Sequence, residues 1–277
     1  MQGLVNWRLL RERMMAPLCQ GKLASFDWNQ ITDMYDGMAQ LERRYTQMQV
    51  DVLPITADDT VVDIGCGPGR LSVPMAQKAH SVTCVDAFDN MLSRCMHNGA
   101  AAGLNNLRPL LQDWNSDDAV AQIGMHDIAV ASRSVGFADL IKLNSIARKY
   151  AVVMSFANAP SLREIQLSFL DGIIDMPAMP HSDDRNFGYN ITFNMLYDMG
   201  AEPNIRILDD GYEAQFASRE AAYEALRFVG DIPANKEAQY RANVDKYLSQ
   251  NEQGFRLFRA SRTFVMWWKT CELQALS

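Results

Sequence analysis

Hydrophobic and polar positions change their period twice along this sequence. Through the first fifty residues the spacing is helical. Trp7, Leu10, Met14 and Met15 make a rough apolar stripe that Pro17 and Gly21 break. Asp27 is placed to cap a second helix, which carries Ile31, Met34, Tyr35, Met38, Leu41 and Tyr45 at i, i+3, i+4 spacing. Residues 1–50 are therefore expected to form a helical N-terminal cap. Its Tyr35 and Tyr45 either pack in the core or help close a cleft.

From residue 57 short β-branched runs alternate with helical stretches. Strands are expected at Thr60–Ile64, Ser81–Val85, Leu107–Leu111, Asp127–Ser132 and Tyr150–Phe156. Helices fall between them, one over Leu71–Gln77 and one running from Met91 through Met96 to Ala102. Parallel strands joined by right-handed crossovers fit this rhythm, which means an open α/β sheet. Such sheets bind ligands beyond the carboxyl ends of their strands.

After residue 157 the pattern loosens. Helices are expected through Ile165, Phe169 and Ile173 and over Ile191–Met199, with a break bracketed by Pro177 and Pro180 between them. Asp209-Asp210-Gly211 reads as a turn between strands Asn204–Leu208 and Tyr212–Ala217. Ser218 caps a helix running to Phe228, residues 236–250 form another, and Arg256–Trp268 is a long last strand. With no linker-like stretch, residues 51–277 are expected to be one domain with a helical insertion at about 218–250.

Composition adds exclusions. With 48% hydrophobic and 21% charged residues, the chain has the balance of a globular protein. A net charge of −7 argues against duplex DNA as a partner, since that demands a basic face. No apolar run approaches the ~20 residues that span a bilayer, and the charged N-terminus lacks a signal peptide's apolar centre. No membrane association is expected, and cytoplasmic residence is. Five scattered cysteines and four histidines show neither CxxC nor HExxH spacing, so neither a disulfide framework nor a metal site is expected.

The chemistry concentrates at Asp63-Ile64-Gly65-Cys66-Gly67-Pro68-Gly69, where the first strand meets a helix. Glycines at alternate positions let the backbone approach a ligand with no Cβ in the way. Arg70 stands where a dinucleotide fingerprint would place its third glycine, and a buried Asp63 suits a cationic ligand rather than a pyrophosphate. Asp86 ends the second strand, where a carboxylate can accept both ribose hydroxyls.

At these residues the chain resembles the class I S-adenosylmethionine-dependent methyltransferases. Asp63–Gly69 is similar to that family's first motif, Val85-Asp86-Ala87-Phe88-Asp89-Asn90-Met91 to its second, and Gln112-Asp113-Trp114 to its third. Phe264–Lys269 resembles its closing antiparallel strand. The resemblance implies a Rossmann-like, mostly parallel seven-stranded sheet with helices on both faces. S-adenosylmethionine would be the cofactor and S-adenosylhomocysteine the product.

Carried onto this chain, the family's pattern gives Gly65, Cys66, Gly67 and Gly69 to the methionine portion. Asp63 orients the loop or reaches the ammonium, Asp86 holds the ribose, and Ala87, Phe88 and Met91 line the adenine. Asp113 recognises the other edge of that ring and Trp114 covers it. The fourth strand ends Ser132-Arg133, beside the methyl group in this family, and lacks an Asn/Asp-Pro-Pro-aromatic motif. Adenine-N6, cytosine-N4 and glutamine targets are thereby disfavoured. Tyr35, Ser132, Arg133 and Asn158 are the acceptor-site candidates, with Arg133 either holding an anionic substrate or closing a salt bridge. His181 with Asp183 and Asp184 forms a general-base pair, a weak metal site or, as expected, a solvated loop. A small-molecule acceptor is expected, with RNA or protein methylation and non-catalytic cofactor binding as alternatives. The catalytic base stays open, and so does a homodimer paired through the aromatic last strand.

Overall fold

The computed structural model describes residues 5–12, 28–174, 185 and 188–275. Asp27, Pro17, Gly21, Met14, Met15, Pro177, Pro180, His181, Asp183 and Asp184 lie outside them. Helix α1 covers residues 7–12, and a single 3-10 turn leads into α2 (Thr32–Asp51). Then β1 (Thr60–Ile64), α3 (Ser72–Ala76), β2 (Ser81–Asp86), α4 (Asp89–Ala101) and β3 (Leu107–Leu111) alternate. They are followed by α5 (Ala119–Ile123), β4 (His126–Ser132), α6 (Leu140–Ser145) and β5 (Ala147–Phe156).

The strand order is β3-β2-β1-β4-β5-β8-β6, in which β1 to β5 are parallel and β8 (Gly254–Lys269) is antiparallel. Alternate strand residues serve opposite faces, as a period of two requires. Val62, Ile64, Ala129, Ala131, Ala151 and Val153 face a core completed by α5, α6 and α8 (Tyr189–Asp198). Val61, Val82, Ile128, Val130, Val152 and Met154 face one completed by α3 and α4. Strands buried on both sides explain the unbroken apolar runs. The order reverses between β1 and β4, which puts the crevice at their carboxyl ends.

Two expectations in the second half are overturned. Asp209-Asp210-Gly211 is no turn; β6 (Asn204–Phe216) runs straight through it, paired with β8 from Asn204↔Trp267 to Phe216↔Phe255. Asp210 is buried and accepts a hydrogen bond from Gln49 Nε2 at 2.8 Å. A Cβ on Gly211 would lie 2.7 Å from the Arg259 carbonyl oxygen, so this glycine serves strand contact. The helix expected over 236–250 stops early as α10 (Glu237–Asp245). Leu248–Asn251 is instead β7, an eighth strand pairing β8 beyond the end of β5. Its side chains are mostly exposed, so backbone pairing holds it and no hydrophobic period announces it.

The last strand is not a free edge. β8 lies between β5 and β6, and Trp268 is fully buried with Nε1 donating to Asn144 Oδ1 at 2.9 Å. A dimer paired through β8 is therefore ruled out. Helices α7 (Leu162–Phe169), α9 (Arg219–Ala225) and α10 pack with α2 in a third core of Met38, Leu41, Phe169, Tyr212, Tyr223 and Tyr240. No helix among the described residues is long and apolar enough to cross a membrane.

Candidate active site

The glycine loop is fixed from below before it meets any ligand. Gly65 and Cys66 both donate their amides to the Val85 carbonyl, at 2.8 and 3.0 Å, which ties the loop to the end of β2. Asp86 then takes the Gly67 amide on Oδ2 at 2.9 Å and the Phe88 amide on Oδ1 at 3.1 Å. Burial raises the carboxyl of Asp86 above the usual range, against the pull of those amides. A carboxylate has about four acceptor sites, so two bonds leave room for a diol.

The glycines do different jobs. A Cβ on Gly65 would sit 2.6 Å from that of Ser134, so Gly65 is a packing requirement. Gly67 has φ 55° and a Cβ there would meet nothing within 4 Å. That position opens on empty space, in a conformation that suits glycine.

Asp63 is 2% exposed and accepts a hydrogen bond from Ser72 Oγ at 2.6 Å, which ties β1 to the first turn of α3. Burial pushes its carboxyl up to about 7. Further along, Ala87 is exposed, Phe88 half-buried and Met91 buried at the start of α4. Asp113 is exposed and accepts the Asn115 amide at 2.9 Å. Trp114 departs from expectation. Its side chain is 3% exposed among Ala119, Ile123 and Leu143, with Lys142 Nζ 4.6 Å above the ring centre. A ring so buried belongs to the core and cannot cover adenine.

A cavity of about 230 Å³ adjoins the loop. It brings together Tyr35, Gly65, Cys66, Gly67, Ser132 and Arg133 from the expected residues, and adds Arg70, Phe156, Leu162 and Arg163. Asn158, with φ 52°, turns its amide toward Gly188 instead. Beneath the cavity runs a buried polar network that the sequence did not reveal. Arg133 donates Nη1 to both oxygens of Glu42 at 2.8 and 2.9 Å and Nη2 to Thr263 Oγ1 at 2.9 Å. Its guanidinium stacks 3.8 Å from the centre of the Phe156 ring. Arg133 is thus a salt-bridged residue rather than a free anion hook, and only its Nε is buried without a partner. Arg70 donates to Gln49 Oε1 and to Ser132 Oγ, each at 2.7 Å, and lies 3.9 Å from Glu42.

Glu42 is fully buried on α2. A carboxylate inside the stripe Met38, Leu41 and Tyr45 was the available sign of it.

Residues 61–155, from β1 to the end of β5, match the family described as Methyltransferase domain. Those residues form an S-adenosylmethionine-dependent methyltransferase domain. Its cofactor is S-adenosylmethionine. An uncharacterized protein of Haemophilus influenzae is 25% identical over 264 residues, covering 90% of this methyltransferase and 91% of the relative. The 23S rRNA (uracil(1939)-C(5))-methyltransferase RlmD of Alcanivorax borkumensis is 29% identical over 115 residues. That match takes in 40% of this chain but only 26% of RlmD. Among solved structures, a cyclopropane-fatty-acyl-phospholipid synthase-like protein of Lactobacillus casei has the same fold. Its TM-score is 0.50 at 13% identity, with 84% of this chain and 92% of that one covered.

The residues present fit the cofactor. Gly67 leaves unfilled the space that a Cβ would enter, and Asp86 keeps acceptor capacity beside it.

Proposed function

We propose that this methyltransferase acts on a small molecule held in the cavity between the glycine loop, α2 and α7. The size of that cavity carries the reading. Glu42 pins α2 across the strand ends through Arg133, and about 230 Å³ beneath it takes a metabolite-sized group, not a folded partner. In this reading the described part of the N-terminal cap (residues 1–50), that is α1 and α2, and the insertion at about 218–250 are lids on one domain, 51–277. They exclude water and shape the acceptor pocket.

The loop from Gly65 to Gly69, with Cys66 in its middle, would hold the methionine portion. Asp86 would hold the ribose, and Ala87, Phe88, Met91 and Asp113 would border the adenine. Asp63 would act from behind, orienting the loop through Ser72. When bound, the cofactor supplies a methyl group already activated by its sulfonium. The protein's task is then to place the acceptor atom about 3 Å away on the far side of that methyl. Tyr35 borders the acceptor space, and burial pushes its phenol up to about 12. It serves there as a hydrogen-bond donor and not as a base.

Transfer of tritiated methyl into a cell extract, divided into small-molecule, RNA and protein fractions, tests the proposal. Label confined to the small-molecule fraction supports it, and label in RNA or protein refutes it. RNA is the second reading because of the partial match to RlmD.

A further inference from the structure

The cavity's charge is at odds with that of the chain. The protein carries −7, yet three arginines line this cavity, Arg70, Arg133 and Arg163, and among the described residues no aspartate or glutamate does. Two are committed elsewhere. Arg70 is satisfied by Gln49 and Ser132, and Arg133 is neutralised by Glu42 below, except for its buried Nε.

Arg163 differs. It is exposed at the rim, in the first turn of α7, and among the described residues it makes no hydrogen bond or ion pair. The neighbouring Glu164 does not answer it, because that carboxylate turns back to accept the Ser161 amide at 2.7 Å in a capping box. Facing groups are the Tyr35 phenol, which feels both Arg133 and Arg163, and the Phe156 ring under the Arg133 guanidinium. S-adenosylmethionine itself brings two positive groups and one carboxylate, so its net charge adds to that of this wall.

We infer that the acceptor carries a carboxylate or phosphate, held by Arg163 at the rim, and that Arg163 determines acceptor specificity. This rests on the small-molecule reading above. The anion is the handle and not the methylated atom, because pairing to a guanidinium makes its oxygens poorer nucleophiles.

Two measurements test it. First, labelled small-molecule product is passed over an anion exchanger at pH 7, using wild type and Arg163→Gln. Retained product, with labelling about 10- to 100-fold lower in the variant and S-adenosylhomocysteine affinity unchanged, supports the inference. Arg163→Lys should restore part of the labelling, since a charge without the fork still attracts an anion. Labelled small product that flows through overturns this inference and leaves the proposed function standing. Label in RNA or protein overturns both.

Second, benzoate and benzamide are titrated into protein saturated with S-adenosylhomocysteine, which needs no acceptor. Benzoate binding at least tenfold tighter than benzamide, and losing that margin in Arg163→Gln, supports the inference. Equal binding overturns it. So does competition between benzoate and S-adenosylhomocysteine, because Arg163 would then serve the cofactor's own carboxylate.

Discussion

Replacing Glu42 by glutamine keeps the shape of the side chain and removes its charge from a site with no exposed surface. Arg133, whose Nη1 lies 2.8 and 2.9 Å from the two carboxylate oxygens, would then face Arg70 without an anion between them. Leaving one partner of a buried pair uncompensated typically costs about 3–5 kcal/mol. The lower end is expected here, for a specific reason. Asp210, on β6, has its carboxyl raised by burial and, to a smaller extent, by the Glu42 charge. With that charge gone Asp210 ionises more readily and offsets part of the loss. A destabilisation of about 3 kcal/mol corresponds to a fall in Tm of roughly 6–12 °C for a domain of this size. Calorimetry of Glu42→Gln reads it directly. Glu42→Gln combined with Arg133→Met should lie above Glu42→Gln alone, because the stranded cation is removed as well. A single-mutant loss under about 1 kcal/mol, the range of an exposed pair, would refute the account of α2 as pinned by a buried ion pair.

Three further outcomes are expected. Gly67→Ala should keep the fold, at a backbone cost of about 1–3 kcal/mol for φ 55°, and still lose most affinity for S-adenosylhomocysteine by calorimetry. Gly65→Ala should lower Tm further than Gly67→Ala, since its Cβ would meet Ser134 at 2.6 Å; equal melting would contradict that division of labour. With the Asp63 carboxyl up near 7 in the fold against 3.8 unfolded, the unfolded chain loses its proton first. Its contribution to stability therefore falls as pH rises from 3.8 to about 7 and is level above. Asp63→Asn should flatten that segment of the stability–pH curve, and an unchanged slope would show that Asp63 is not its source.

Where one face or both faces of an element are buried, the sequence could be read almost to the residue. Thr60–Ile64 is the strand expected, and α2 carries its apolar stripe where the spacing put it. The misreadings have one physical character: the chain was shaped there by partners distant in sequence. Gly211 looked like a turn residue because a glycine after two aspartates usually is one, but the strand that requires it lies near residue 259. Leu248–Asn251 is a strand only because β8 pairs with it. Trp114 followed the family's third motif in position, yet a core formed with Leu143 and Ile123 claimed its ring.

The same distinction separates the two halves of the site. Everything that contacts the cofactor in our reading lies within one stretch from Asp63 to Asp113, so local motif spacing reveals it. The acceptor half is assembled from α2, the end of β4, the end of β5 and α7, and it is joined by a network that reaches β6 and β8. The end of β5 and the start of α7 are close in sequence, but α2 and the end of β4 lie far from them and from each other. Arg133 shows the consequence. Its position at a strand end suggested a substrate hook, and the buried carboxylate 91 residues earlier turned it into a structural pin. The hook then falls to Arg163, which no motif singles out and which has no hydrogen-bond or ion-pair partner among the described residues at the cavity rim.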